Sequence, residues 1–293
     1  MSGTPLLAVA FALIGALLFA CGSVAQQSAA AGVAEDEALL AELVRSKRWW
    51  AGLLGDGGGY VFQAIALGVG SVLVVQPLIV ASLLFALPLS ARFSGARMTA
   101  RTWAMALALA AALVVFLIVG NPTEGHNSAA IADWLIPLAG VLGLVAAAVA
   151  TAMTRIGPGP RALLLGFASG ALYGVAVALT KSVIDLLHLG PAAVLGNWTT
   201  WALVAAGLTG FYLQQRAFHA GPLSASLPAI TIAEPLVAAF LGFAVLGERL
   251  RVQGPGIALI AVAVLVMVVT TVGLSRSQAD VTTHAQSSQP VLS

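Results

Sequence analysis

WWAGLLGDGGGYVFQAIALGVG, residues 49–70, has the length and apolar weight of a membrane-spanning helix, yet carries an acid, a glutamine and a run of glycines. A second stretch, TWALVAAGLTGFYLQQRAFHAG (200–221), falls on it when the sequence is shifted by 151 residues. Trp50 then coincides with Trp201, Ala51 with Ala202, Gly59 with Gly210, Gln63 with Gln214, Ala66 with Ala217 and Gly70 with Gly221. The register continues to Pro77 on Pro228 and Ile79 on Ile230. Alanines match by chance in apolar helices; the spaced Trp, Gly, Gln, Gly and Pro are harder to dismiss. With a slightly larger shift, GALLFACGSVAQQ from Gly15 matches GALYGVAVALTKS from Gly170. The chain reads as a duplication.

Composition says what surrounds it. The 293 residues are 60% hydrophobic and 8% charged, with a mean hydropathy of +1.00. A soluble domain carries about a quarter charged residues, so the solvent here is mostly lipid. The single cysteine, Cys21, makes no internal disulfide. No Cys/His cluster has zinc spacing, no strand–glycine loop–helix unit marks a nucleotide site, and no nucleophile–base arrangement or cofactor motif points to an enzyme. Leu18 to Cys21 loosely resembles a lipoprotein cleavage site. Met1-Ser2-Gly3-Thr4 lacks the positive charge of a signal peptide, so the first helix is expected to be retained.

Apolar stretches of the roughly 20 residues that cross a bilayer lie near 5–30, 49–71, 73–93, 102–119, 134–154, 162–187, 197–217, 222–246 and 253–274. The fold class expected is an all-α polytopic membrane protein of about nine transmembrane helices. Residues 275–293 read as a disordered cytoplasmic tail. Counting sides alternately, ten Lys/Arg, among them Arg45, Lys47, Arg92, Arg155 and Arg216, fall on the side reached after the first helix. Only Arg249 and Arg251 fall opposite. Positive charge resists translocation, which places the N-terminus outside and the C-terminus in the cytoplasm of a multi-pass plasma-membrane protein. An odd helix count is needed for that bias.

Helices one to four (5–119) then pair with six to nine (162–274), with helix five (134–154) as the link. Equivalent helices are five apart and run in opposite directions. Such an inverted-topology repeat is shared by many secondary transporters. Gly247-Glu248-Arg249-Leu250 and the stretch Gln215 to Pro222 resemble the drug/metabolite transporter superfamily, in its EamA-like form. Trp49-Trp50-Ala51-Gly52, Gly55-Asp56 and Val75-Gln76-Pro77-Leu78 are similar to its NIPA-type magnesium-transporter branch. The resemblance spans about 5–274 and implies a nine-helix transporter. The chain departs from the branch in having no Asn after Gly55-Asp56, and Gln26-Gln27 where lysines often end the first helix.

An ionisable group in hydrocarbon costs at least about 2.5–3.5 kcal/mol and normally faces a protein interior or water-filled cavity. Three stand out. Asp56 shares a helix face with Tyr60 and Gln63. The glycines around it serve either close helix packing or a local unwinding that offers carbonyls to a solute. Glu234 precedes Pro235, whose missing N–H frees the carbonyl of Thr231. Carboxylate, hydroxyl and carbonyl together suit a cation or a proton. Lys181 is read as an i,i+4 partner of Asp185 snorkelling outward, as a counter-charge for Asp56 or Glu234, or as a contact for an anionic substrate. Gln63 and Gln214, repeat mates, are substrate contacts or interhelical glue. Asn197-Trp198-Thr199 fits the glycosylation pattern at a helix start, and the six tryptophans read as interfacial anchors.

The leading expectation is a transporter of a small polar or cationic solute, with proton coupling through Glu234 or Asp56 as a route. A NIPA-like Mg²⁺ transporter or channel is the alternative, with Asp56 and Glu234 as the metal-facing carboxylates, since Mg²⁺ is bound through one or two carboxylates and keeps its waters. A membrane scaffold, or a flippase for a lipid-linked substrate, stays open beside them. No cofactor or nucleic acid is implied; the partners are membrane lipid and the solute, with a homodimer left open.

Overall fold

The computed structural model describes residues 4–30, 47–94, 98–126 and 129–287. Among the described residues there are eleven helices: α1 (Thr4–Ala30), α2 (Lys47–Val69), α3 (Val72–Val80), α4 (Ser82–Ser94), α5 (Ala100–Gly120), α6 (Ile131–Ala152), α7 (Pro158–Leu187), α8 (Pro191–Gly196), α9 (Trp198–Ala220), α10 (Leu223–Ala244) and α11 (Pro255–Ser287). Among the described residues, seven helical stretches are long and apolar enough to cross a membrane, with α3 and α4 counted as one stretch, Val72–Arg92. The protein is therefore an all-α polytopic membrane protein. The two remaining long helices, α2 and α9, have 23 residues each. They are the glycine- and glutamine-bearing pair 49–70 and 200–221, in which polar groups dilute the apolar content.

Small residues decide how closely these helices pack. α1 buries Ala8, Ala12, Ala16, Ala20 and Val24, one residue per turn, and lays that stripe against α2, α3 and α4. α7 occupies the centre, buried almost all round from Leu165 to Ser182. It packs against α6, α9 and α10. α5 packs along α11 with its own apolar clusters around Leu109, Leu113, Phe116 and Ile260. Large apolar side chains such as Leu54, Ile118, Ile136 and Leu208 remain exposed, as a lipid-facing surface requires.

Several details differ from the sequence reading. The third predicted span breaks at Ala81, between Pro77 and Pro88, because proline withholds an N–H and crowds the turn before it. Two-residue strands β1 (Pro122–Thr123) and β2 (Arg249–Leu250) pair antiparallel, Pro122 with Leu250 and Thr123 with Arg249. α11 continues to Ser287, past the end of the predicted span and into the stretch read as disordered; residues 288–293 lie outside the described residues. Trp134 is no interfacial anchor: it is buried, edge-on to Trp198 at 5.8 Å between ring centroids. Asn197 caps α9, its Oδ1 accepting from the Thr199 N–H at 3.0 Å and hydroxyl at 2.9 Å.

Candidate functional site

Three glycines on α7, at positions i, i+4 and i+8, set the site. A methyl carbon at Gly166 would lie 2.7 Å from the Ser226 carbonyl oxygen, at Gly170 2.5 Å from that of Ile230, and at Gly174 2.5 Å from that of Glu234. No side chain fits there, so α10 rests backbone-to-backbone on α7, the close approach that small residues permit between membrane helices. Glu234 is thereby carried to the centre of the bundle.

The polar groups of α7 gather around it. The Tyr173 hydroxyl donates to Gln214 Oε1 of α9 at 2.7 Å. Ser169, one turn before, donates to the Gly210 carbonyl at 2.7 Å. One α7 face further along, Thr180 Oγ1 and the Tyr60 hydroxyl of α2 lie 2.7 Å apart, and Thr180 also bonds the Ala176 carbonyl at 2.8 Å. Tyr60 and Tyr173 both lie within coulombic range of Glu234. Four helices thus bring polar groups into this part of the bundle: Tyr60 from α2, Tyr173 and Thr180 from α7, Gln214 from α9 and Glu234 from α10. Glu234 is part-buried, and among the described residues no basic group pairs with it.

The other buried acid is differently placed. Glu248 follows Gly247, whose φ of +67° turns the chain back toward the bundle. Its Oε1 accepts from Lys181 Nζ at 2.9 Å and from the Val72 N–H at 2.8 Å, and its Oε2 accepts from the Leu73 N–H at 3.0 Å. The carboxylate therefore caps α3, satisfying two N–H groups that have no helical partner in the favourable field of a helix N-terminus. Lys181 is 2% and Glu248 0% exposed. The ion pair is sealed.

Of the predicted site residues, Tyr60 is joined to Thr180 and Gln214 to Tyr173. Lys181 is corrected on each count: it neither snorkels outward, nor serves Asp56 or Glu234, nor is open to an anionic substrate, because Glu248 holds its ammonium inside. Asp56 lies against Gly22 of α1, where an added methyl would strike its Oδ1. The unwinding alternative for its glycines is also corrected. α2 is helical throughout, and a methyl at Gly55 would lie 2.8 Å from the Gly22 Cα, so the space at Gly55 serves packing. Thr231 is turned elsewhere: its hydroxyl donates to the Leu227 carbonyl at 2.8 Å, and with Pro235 it lines an apolar cavity of about 350 Å³ between α3, α5, α10 and α11. The expected grouping of Thr231 hydroxyl with Glu234 carboxylate is therefore not formed. Gln63 is buried, its Nε2 without a hydrogen bond. Among the described residues no three His, Cys, Asp or Glu form a metal-holding group.

Sequence reasoning missed Tyr173 as a site residue and Glu248 as a buried one. The first has a legible signal, since Ser169, Tyr173 and Thr180 form a polar stripe along an apolar helix. The second has only a weaker one: a lysine deep in a span requires an acid, and Glu248 is among the few available.

An uncharacterized protein of Corynebacterium glutamicum is 38% identical over 281 residues, covering 93% of this chain and 96% of its own length. The chain belongs to the same family as that protein. No family model and no solved structure matches it. The shared length takes in nearly all of the membrane-spanning helices, so the relationship is one of whole architecture rather than of a single module.

Proposed function

We propose that the chain is a secondary transporter of the drug/metabolite superfamily type, moving a small polar or cationic solute by alternating access through the Glu234 locus. One observation carries this reading: a part-buried carboxyl with no basic partner among the described residues, on a helix inside an apolar bundle and close enough to Tyr60 and Tyr173 for its charge to act on both. An acid in such a place is a burden to a scaffold and an asset to a carrier, where it attracts a cation or exchanges a proton.

The nine-span inverted repeat is part of the proposal and has support in the contacts. α1 packs on α2 and on α3–α4, and α7 packs on α9 and α10, which are the equivalent pairs. α4 and α5 against α11, α3 against α10 and α2 against α7 are contacts that cross the repeat. α2 and α9 complete the count as the two polar spans. The Lys/Arg bias orients the β1–β2 end outward.

The test is uptake and counterflow in proteoliposomes across a panel of organic cations, polar metabolites and Mg²⁺, with and without a pH gradient. Saturable transport lost in Glu234→Gln supports the reading. Transport of Mg²⁺ alone, dependent on Asp56 and Glu234, selects the NIPA-like alternative. Equal flux through protein-containing and empty vesicles removes transport altogether.

The apolar cavity favours a second reading, a lipid-linked substrate. Its rim residues Leu236 and Phe240 are half-exposed at the bundle surface, so an acyl or isoprenoid chain could enter sideways. Scrambling of a fluorescent lipid in the same vesicles, blocked by Ala239→Trp, distinguishes it from a water-soluble solute.

A further inference from the structure

We propose that Lys181 and Glu248 form the latch that closes the β1–β2 end of the bundle over the Glu234 locus; this rests on the transport reading above. Four elements meet at the Glu248 carboxylate. Lys181 brings α7, the Val72 and Leu73 amides bring α3, and the chain on either side of Glu248 brings the end of α10 and strand β2. Gly242 on α10 leaves the room: a methyl there would lie 3.1 Å from Glu248 Oε2.

A strap lies across the same turn. The His126 N–H donates to the Leu246 carbonyl at 2.7 Å, and the Arg251 N–H to that of Gly120 at 3.0 Å. Thr123 Oγ1 exchanges bonds with the backbone of Arg249, donating at 3.1 Å and accepting at 3.2 Å. The segment between α5 and α6 therefore holds the 246–251 turn down, and the turn plants Glu248 between α3 and α7. α3 belongs to the first repeat and α7 to the second, so the carboxylate joins the two halves at one end.

An arrangement of this kind has two states and little between them. A buried pair keeps its strength while water is excluded. Once α3 and α7 part, the freed groups are hydrated. Opening at this end thus requires Glu248 to give up either the Lys181 ammonium or both α3 amides. Among the described residues Glu234 has no such partner, and it stays available to the solute while this end is shut.

The test uses a Cys21→Ser background with Gln76→Cys, a buried position one turn inside the capped end of α3. An impermeant maleimide is applied from the side that carries Arg249. Labelling is expected to be negligible in this chain and with Lys181→Arg added, and to rise at least about tenfold with Lys181→Met, as neutralising one partner shifts the equilibrium to the open state. Equal labelling with and without Lys181→Met overturns the latch. Hydrogen exchange on the unsubstituted protein in vesicles gives a second decision. Segments 70–76 and 246–252 should open as one unit; exchange of 246–252 without 70–76 overturns the proposal equally. Labelling reports opening whether or not a solute moves. A chain that opens on loss of Lys181 yet transports nothing keeps the latch and removes the transport reading, and transport with unchanged labelling does the reverse.

Discussion

Two carboxylates fourteen positions apart, Glu234 and Glu248, lie in the same apolar bundle under opposite conditions. Glu248 is fully satisfied, with an ammonium and two backbone amides on its oxygens. Removing one partner of such a pair leaves a buried charge uncompensated and costs about 3–5 kcal/mol. Lys181→Met should therefore lower the thermal midpoint in detergent substantially, and Lys181→Arg far less. Glu234 is unpaired and part-buried, so Glu234→Gln should change stability by less than about 1 kcal/mol while abolishing solute uptake. Loss of both together would show that Glu234 is structural. Tyr173→Phe removes one interhelical hydrogen bond, worth about 0.6 kcal/mol in a membrane protein. Its thermal midpoint should barely move, and any change in apparent solute affinity then reports the site rather than the fold.

At the scale of the helices, the same residue type does two different things. Gly166, Gly170 and Gly174 make the α7–α10 contact, whereas Gly57 on α2 has nothing within 4 Å of an added methyl. Gly170→Leu should separate α10 from α7, displace Glu234 and leave little folded protein by gel filtration. Gly57→Ala should be tolerated and stabilise α2 by about 0.5–1 kcal/mol, the helix-propensity gain over glycine. A loss of stability in Gly57→Ala would show that a methyl at this position does meet a neighbour. α3 is the other element whose local design matters. It is nine residues long, and its N-terminus depends on Ser71, whose side chain accepts from the Val74 N–H at 3.2 Å, and on a carboxylate from the far end of the sequence.

Across the whole molecule, the strand pair brings the end of α5 beside the turn between α10 and α11. α5 and α6 each extend about 1.5 Å per residue, so Thr99 and Thr154 lie at the opposite end of the bundle from Arg249. With the Lys/Arg bias setting the orientation, cysteines at Gln253 and Thr154 in a Cys21→Ser background should react with an impermeant reagent from the outside and the cytoplasm respectively. Both residues are exposed. Reaction of both from one side would remove the inverted repeat, since an even number of crossings would then separate them.

Membrane embedding and the approximate helix boundaries were legible in the sequence. Hydropathy and the spacing of Trp, Gly, Gln and Pro are properties of the chain taken residue by residue, and lipid leaves a helix little choice but to form. Glu234 was legible too, as an acid beside a proline in an apolar run. Which groups meet was settled only by the tertiary structure. Lys181 finds an acid 67 positions away rather than Asp185 four positions on, and Thr231 turns away from Glu234 although only three positions separate them. The physical reason is the glycine contact between α7 and α10: it fixes which face of each helix looks inward, and a helix rotated by one residue would offer a different set of partners.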